Sequence, residues 1–179
     1  MRLLMAGVLA LSCPAPVTGV LDLRPLRQVA YDYQPYRTPE AMARGHGRVA
    51  VAGTAAGWVA GPKKDQVLLR IQVTERFRGT TRPHVYFETY RGSRDAKGAY
   101  VHSLSDFRRA VPRGVRLVLV GREKTDQPGV YGVPPQGLIL QQVTTRRREL
   151  VYALDTVPAW QFPCGIAGLA ARLRSARLT

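Results

Sequence analysis

The clearest pattern in the chain is an alternation of apolar and polar residues over residues 67–79. The apolar positions of one parity are Val67, Leu69, Ile71, Val73 and Phe77. The polar positions of the other parity are Arg70, Gln72, Thr74, Arg76 and Arg78. A period of two residues is typical of a β-strand with one buried and one exposed face. The exposed face carries three arginines, which form either a solvated surface or a ligand-binding surface.

Three other segments are also predicted to be strands. Residues 48–54 alternate valine with small residues, and Gly53 indicates a β-bulge or a sharp coil in that strand. Residues 84–90 place valine and phenylalanine on one side and two tyrosines on the other. Residues 115–120 are apolar enough to be buried on both faces. The chain is therefore rich in β-structure.

The second half of the chain predicts a long loop followed by a hairpin. Residues 122–137 contain three prolines and several glycines, which indicates a loop. Residues 138–143 and 150–154 are apolar and predict two paired strands. The tip of this hairpin falls at residues 144–148 and includes three consecutive arginines.

Helices are predicted in three places. Over residues 38–45, Thr38 suits the N-cap, Pro39 the first turn and Gly45 the end of the helix. Residues 104–111 predict a second short helix, with Ser103 or Ser105 as its N-cap. Residues 163–178 predict an amphipathic basic helix. Its apolar stripe either packs against the strands or lies on a membrane surface.

Three short phrases stand at fixed places in the predicted strands. They are Gly53-Thr54 in the first strand, Val73 with Glu75 and Gly79 at the end of the second, and Gly114 with Leu117 and Val118 at the fourth. Over about residues 38–124 these phrases resemble the netrin-type domain of secreted bacterial proteins, which is related in fold to the tissue inhibitors of metalloproteinases. Those animal inhibitors chelate zinc with a disulfide-clamped N-terminal cysteine. This chain lacks such cysteine pairs, so protease inhibition does not carry over.

The resemblance implies a five-stranded OB-like barrel that presents one face and its loops to ligands. Together with the hydrophobic pattern, it predicts a mainly β fold. The expected architecture is a small OB-like barrel, closed or partly open, with short flanking helices and a C-terminal amphipathic helix.

The formal charge of the 179 residues is +15, and residues 76–124 hold twelve basic and four acidic residues. Basic surfaces attract nucleic acid, anionic lipid and acidic polymers. The excess of arginine, with 23 Arg and 4 Lys, is also what a GC-rich genome produces. The candidate polyanion-binding residues are Arg70, Arg76, Arg78, Tyr86, Tyr90, Arg146, Arg147 and Arg148.

The start of the chain resembles an export signal, since one arginine precedes nine apolar residues and then small residues. We expect residues 1–13 to be a signal or lipoprotein leader with Cys13 as the lipid attachment site. Residues 14–37 are then a lead-in, and residues 38–179 form one domain. This predicts an extracellular or cell-envelope protein. The alternative is a cytoplasmic protein whose apolar start packs into the fold.

The sequence shows no nucleophile elbow, Walker loop or zinc-binding spacing. The histidines at positions 46, 84 and 102 stand apart. Cys164 is interpreted as a buried thiol. We therefore expect a protein without catalysis, cofactor or metal.

Three functions stay open. The first is an exported or lipid-anchored OB-like binding module whose ligand is unknown and whose partner is a protein or a cell-envelope component. The alternative is a nucleic-acid-binding OB barrel that uses a basic aromatic face. The third is an enzyme that uses Cys164.

Overall fold

The computed structural model describes residues 19–28, 30–80, 82–144 and 147–178. These residues form one seven-stranded sheet and three short helices. The strands are β1 (Val49–Ala60), β2 (Gln66–Arg78), β3 (His84–Tyr90), β4 (Arg116–Lys124), β5 (Gln127–Gly132), β6 (Leu138–Thr144) and β7 (Arg147–Tyr152). The helices are α1 (Pro39–Gly45), α2 (Leu104–Ala110) and α3 (Ile166–Ser175).

The strand order is that of an OB-like barrel with a two-stranded extension. Neighbours in the sheet are β1-β2-β3-β5-β4-β6-β7, and β1 also pairs with β4. The first five strands therefore form a ring, in which β3 and β5 run parallel and the other pairs are antiparallel. A five-stranded, partly open barrel of this kind defines the OB architecture. The predicted fold class is confirmed.

Strand β1 closes the ring because it is long and irregular. It pairs with β2 along most of its length and with β4 over Val49 to Thr54. Its register against β2 shifts at three places, one of them between Ala52 and Gly53. Bulges increase the local twist and bend a strand, which allows β1 to turn between its two partners. The predicted irregularity at Gly53 is confirmed.

The barrel interior is filled by apolar side chains from the ring strands and α2. It includes Trp58, Ile71, Phe87, Phe107 and Leu119. Two residues of the predicted lead-in, Leu23 and Leu26, are also buried in this interior cluster. These two leucines thus anchor the segment at 19–28 to the core.

A second apolar cluster lies on the outside of the barrel, under α1 and α3. Strands β1 and β4 supply Ala50, Ala52, Val118 and Val120 to it. The residues that α3 buries there are Ile166, Leu169, Ala170 and Leu173. The predicted apolar stripe of this helix is confirmed, and it packs against the sheet. None of the helices in the described ranges is long and apolar enough to cross a membrane.

Ion pairs and a hydrogen bond connect helices α1 and α3 to each other and to the sheet. Arg172 of α3 forms an ion pair with Glu40 of α1, and Arg174 lies 2.6 Å from the Glu75 carboxylate on β2. The Arg44 guanidinium donates to the Ala176 carbonyl at 3.1 Å. These pairs lie at the edges of the second cluster and fix the orientation of α1 and α3.

The helix termini follow the sequence signals. The Thr38 hydroxyl accepts a hydrogen bond from the Ala41 amide at 3.1 Å, and Pro39 occupies the first turn of α1. Ser103 is the N-cap of α2, where its amide donates to the Asp106 carboxylate at 2.7 Å. Both short helices are therefore defined locally.

Two details of the predicted strands are wrong. Residues 122–137, expected to be a loop, contain the end of β4 and the whole of β5. The signal in β5 is weak because only Val130 and Tyr131 are apolar between two glycines. Phe77, expected on the same face as Val73, packs instead in the second cluster under α3. The register shifts between β1 and β2 change which face of the strand points outward.

Candidate functional site

The outward side of β2, β3 and β5 forms the candidate site, which we call the β2–β3 face. Its exposed members alternate with residues of the barrel interior, so they point away from the core. In the register, Arg70 of β2 lies opposite Tyr86 of β3, and Tyr86 lies opposite Val130 of β5. Gln66 lies opposite Tyr90 in the same way. The face thus places arginine and tyrosine side by side.

Apolar side chains form the floor of this face. Leu68 is 8% exposed and Val130 is 7% exposed, although both point outward from the barrel. Tyr90 is 39% exposed at the end of β3. A partly apolar floor with tyrosine rings at its surface suits planar or apolar parts of a ligand.

The Arg70 side chain contacts the imidazole ring of His84. Its Nη2 lies 3.2 Å from Nε2 of His84, the first residue of β3. Gln72 lies opposite His84 and is exposed. The Arg70 guanidinium therefore has a defined position on the exposed surface, beside the ring of Tyr86.

A polar cluster around Glu88 fixes the other end of the face. Lys124 of β4 donates to both carboxylate oxygens of Glu88, at 2.7 and 2.9 Å, and the Tyr90 hydroxyl donates at 2.5 Å. The Gln66 amide donates to the same carboxylate and lies 2.9 Å from the Gln127 amide oxygen of β5. This cluster ties β2, β3, β4 and β5 together.

The hydrogen bonds in this cluster shift two pKa values. Burial alone would raise the pKa of Glu88, but hydrogen bonds from Lys124, Tyr90 and Gln66 outweigh it and lower that pKa. The hydrogen bond to Glu88 raises the pKa of Tyr90 to about 12, with burial as the second cause. At neutral pH, Glu88 is ionised and Tyr90 is a hydrogen-bond donor.

Arg76 lies further along β2, opposite Val51 of the interior cluster, so it points to the other side of the sheet from Arg70. Its Nη2 donates to the Arg82 carbonyl at 3.2 Å, and Arg82 lies 3.3 Å from the Glu123 carboxylate. Each carboxylate beside the face, Glu88 and Glu123, thus has a cationic partner. Arg70 adds positive charge to the face beyond these pairs.

Arg78 does not lie on the open part of this face. Its Nη1 donates to the carbonyls of Ala43 at 3.0 Å and Gly47 at 2.8 Å. Arg78 is half-buried and ties the end of β2 to the end of α1. Arg78 thus has a structural contact apart from the open face, and its polyanion-binding role stays a prediction.

The arginine run lies on another part of the molecule. Arg147 and Arg148 belong to β7, opposite Thr144 and Val143, and Arg146 lies outside the described residues. The two described arginines line a cleft of about 910 Å³ together with Phe162, Pro163 and Cys164. They do not join the β2–β3 face.

Cys164 precedes α3 in a left-handed backbone conformation with φ 60°. It is disulfide-bonded and half-buried, so the interpretation as a buried free thiol is wrong. The predicted lipid attachment site, Cys13, lies outside the described residues.

The three histidines do not converge. His84 begins β3, whereas His102 lies beyond the other end of that strand, where its amide donates to the Arg91 carbonyl at 3.1 Å. His46 caps the end of α1, and burial, followed by the charge of Arg122, lowers its pKa. In the part of the chain that the structure describes, no group of three His, Cys, Asp or Glu side chains could hold a metal ion.

The β2–β3 face brings together three of the predicted residues, Arg70, Tyr86 and Tyr90. Arg76 lies opposite Val51 of the interior cluster and is not part of this face. Sequence reasoning missed Glu88, Lys124, His84 and Val130 as parts of the same surface. Lys124 and Val130 come from the segment predicted as a loop, so no sequence pattern placed them beside β3. Glu88 and His84 had a local signal, since they share the parity of Tyr86 and Tyr90 in the same strand.

The chemistry of this arrangement is recognition through stacking and ionic hydrogen bonds. A tyrosine ring offers a flat apolar surface, and an arginine beside it offers five N–H donors in one plane. Comparisons with protein-family models, with curated proteins and with solved structures found no match for this chain.

Proposed function

We propose that this protein is a non-catalytic, exported binding module that holds a cell-envelope partner on the β2–β3 face of its OB-like barrel. The observation that carries the proposal is the alignment of Arg70, Tyr86 and Val130 across three strands of that face. OB barrels use the surface of strands 2 and 3, with the adjoining loops, to bind oligonucleotides and oligosaccharides. The candidate residues lie on that same surface.

The export part of the proposal is supported by two features. The chain starts with an arginine and nine apolar residues. Cys164 is disulfide-bonded, and disulfides persist mainly in oxidising compartments. The sequence has only two cysteines. An intramolecular disulfide at Cys164 therefore competes with lipid attachment at Cys13.

The first experiment is fractionation and intact mass measurement of the native protein from its own cells. Export predicts that the apolar leader is removed on the N-terminal side of Cys13, so that Cys13 is kept, and that the protein is recovered outside the cytoplasm. A diacylglyceryl adduct on Cys13 would establish lipid anchoring, whereas a disulfide would establish export without that anchor. An unprocessed chain that starts at Met1 in the cytoplasm would overturn the export proposal.

The second experiment tests the face itself by co-sedimentation of the purified protein with washed cell envelopes. We expect saturable binding that the double variant Arg70→Gln/Tyr86→Ala weakens by about tenfold or more, because an ionic hydrogen bond and a stacking contact are both removed. The matched control is Arg37→Gln, which removes one positive charge from an exposed position before α1. Absence of sedimentation, or equal weakening in the control, would overturn the proposal.

The alternative is that the same face binds single-stranded nucleic acid. The observation that favours it is the combination of Tyr86 and Tyr90 with Arg70 on one surface, since stacking rings beside basic groups bind single strands without sequence preference. Fluorescence anisotropy with a labelled single-stranded DNA oligomer tests it. Affinity that falls steeply with salt and is lost in Arg70→Gln/Tyr86→Ala would support nucleic acid as the ligand. No saturable change would remove this alternative.

A further inference from the structure

A groove separate from the β2–β3 face lies between residues 21–28 and the connection from β3 to α2. Its volume is about 500 Å³, and Arg24, Arg27, Gln28, Ser93 and His102 line it. A second cavity of about 280 Å³ shares Arg24 and His102 with it. The two cavities therefore adjoin, and the larger one has the size of a site for a small ligand.

The first wall of the groove is anchored by the core. Leu23 and Leu26 are buried in the barrel interior. The Gln28 amide donates to the Tyr90 carbonyl at 2.8 Å. The segment that carries Arg24 and Arg27 is therefore held against the end of β3.

The second wall is an ordered loop. The Val101 amide donates to the Ser93 carbonyl at 3.0 Å, and the His102 amide donates to the Arg91 carbonyl at 3.1 Å. Arg94 lies over the Tyr100 ring, with 4.4 Å between the guanidinium carbon and the ring centroid. The His102 ring packs edge-on to Phe107 of the interior core, at a centroid distance of 6.2 Å. Ser93 and His102 are thus fixed by contacts within the protein.

Positive charge is concentrated around this groove. Residues 19–28 and 91–113 together contain eight arginines and lysines but only three aspartates. Two of those aspartates are paired, Asp22 with Arg24 and Asp106 with Arg109. The third, Asp95, accepts hydrogen bonds from the amides of its own turn. The charge of Arg27 and Arg91 is not balanced by an ion pair with any carboxylate in the described ranges.

Two guanidinium nitrogens near the groove lack acceptors. The Nε atoms of Arg27 and Arg91 are buried and have no hydrogen-bond partner among the described residues. Arg27 uses its Nη2 to donate to the Tyr152 carbonyl at 2.8 Å, and burial lowers its pKa. A buried donor without an acceptor is costly. Of these two arginines only Arg27 lines the groove, and an anion bound beside it would provide both an acceptor and the opposite charge.

We propose that this groove binds a phosphoryl group. Its donors come from both walls, namely the guanidinium groups of Arg24 and Arg27, the Ser93 hydroxyl and the His102 ring. A tetrahedral oxyanion offers oxygens in several directions and can accept from both walls, whereas a carboxylate has two oxygens in one plane. The phosphoryl group belongs either to a monoester or free phosphate, or to the diester of a polymer or lipid headgroup.

The test is an NMR titration of the full ¹⁵N-labelled chain with inorganic phosphate, at constant pH and ionic strength with chloride as the balancing ion. We expect saturable shifts at the Ser93, Val101 and His102 amides and at the Arg27 Nε–H. Dimethyl phosphate and glycerol 3-phosphate in parallel titrations distinguish the diester from the monoester, and tighter binding of either one supports the proposal. Shifts that do not saturate with any of the three probes, or that involve all basic loops equally, would overturn it.

The phosphate affinities of arginine variants provide a second test. Arg27→Gln should weaken phosphate binding by about tenfold, the effect of one ionic hydrogen bond. Because Arg27 also contacts the Tyr152 carbonyl, Arg24→Gln is the variant that keeps the test independent of folding, since the Arg24 side chain is 87% exposed. Arg37→Gln is the control of equal charge and should bind phosphate as wild type does. Equal loss in Arg37→Gln, or no loss in Arg24→Gln and Arg27→Gln, would overturn the proposal.

The proposal does not depend on the β2–β3 face. The variant Arg70→Gln/Tyr86→Ala should leave phosphate binding in the groove unchanged, while Arg24→Gln should leave envelope binding by the face unchanged. Phosphate binding that disappears in Arg70→Gln/Tyr86→Ala would place the anion on the face and overturn the groove as its site. The two proposals can therefore fail separately.

Discussion

At the scale of single residues, Glu88 shows how an ordinary strand position becomes a structural centre. In the sequence it is a polar residue at an exposed position of an alternating strand. In the fold its carboxylate accepts hydrogen bonds from Lys124, Tyr90 and Gln66, which belong to three different strands or strand ends. The local pattern predicted which way Glu88 points. Only the closure of the barrel brought Lys124 within reach.

The variant Glu88→Gln tests this role through its pH dependence. The pKa of Glu88 is lowered in the folded state, so its contribution to stability is complete above about pH 4.3, the ordinary value of glutamate. It is lost as the pH falls through the lowered pKa. We expect Glu88→Gln to lose about 1–3 kcal/mol of unfolding free energy at pH 7 and much less at pH 3, as measured by urea unfolding.

Glu149→Gln is the control for that measurement. From the described residues, the Glu149 carboxylate accepts a long hydrogen bond, 3.4 Å from the Gln142 amide, and its loss should cost less than about 0.5 kcal/mol. A difference between wild type and Glu88→Gln that is the same at pH 7 and pH 3 would show that the charge of Glu88 does not stabilise the fold.

At the scale of elements, the irregularity of β1 decides whether the barrel closes. Gly53 lies between β2 and β4, opposite Val73 on one side and Leu117 on the other. A Cβ atom at this position would lie 2.3 Å from the Gln72 carbonyl oxygen and 3.0 Å from the Ile71 side chain. A glycine is needed there because the backbones of β1 and β2 approach closely.

We expect Gly53→Ala to destabilise the protein by about 1–3 kcal/mol, the usual effect of overpacking a core. The measurement is urea unfolding followed by circular dichroism. Gly132→Ala is the matched control, since nothing lies within 4 Å of a Cβ atom at that glycine. The control should stay within about 0.5 kcal/mol of wild type. Equal stabilities of the two variants would contradict the close approach at Gly53.

Helix α3 shows which part of an element its own sequence defines. The spacing of Ile166, Leu169, Ala170 and Leu173 predicts an apolar stripe, and the fold buries all four. The same spacing is compatible with a membrane surface. The sheet surface formed by Ala50, Ala52, Val118 and Val120 covers the stripe in the structure, and no periodicity within the helix identifies that surface.

At the scale of the whole molecule, two apolar clusters share the same strands. Val49 and Val51 of β1 belong to the interior cluster, whereas Ala50 and Ala52 belong to the outer one. Strand β4 divides its residues in the same way, with Leu117 and Leu119 inside and Val118 and Val120 outside. Loss of either strand would disrupt both clusters, so we expect a single cooperative unfolding transition.

The two tryptophans of the chain report on this cooperativity separately. Trp58 is buried in the interior cluster, 5.2 Å from the Phe107 ring by centroids. Trp160 packs against the outer cluster, 5.5 Å from the Tyr152 ring. In Trp160→Phe and Trp58→Phe, the fluorescence of the one remaining tryptophan should give the same urea midpoint as circular dichroism of that variant. An earlier midpoint for Trp160 alone would mean that the helices detach before the barrel unfolds.

The candidate site was only partly predictable from the sequence, because some of its contacts join segments that are distant in the chain. Arg70, Tyr86 and Tyr90 were found because alternation within a strand indicates which side chains point outward. Parity alone did not reveal that Arg78 contacts the carbonyls at the end of α1 and lies apart from the open face. The basic groove was not predicted, since its two walls are separated by more than sixty residues of sequence.

The sequence by itself determined the features that depend on near neighbours. These are the alternating strands, the caps of α1 and α2, the bulge at Gly53 and the apolar stripe of α3. The tertiary structure decided the pairing of β1 with β4, the inclusion of β5, the covering of the outer cluster and the meeting of residues 21–28 with the loop after β3. The physical reason is that backbone conformation and side-chain direction follow from local sterics and hydrogen bonds. The choice of partner depends on the apolar surface buried between distant segments.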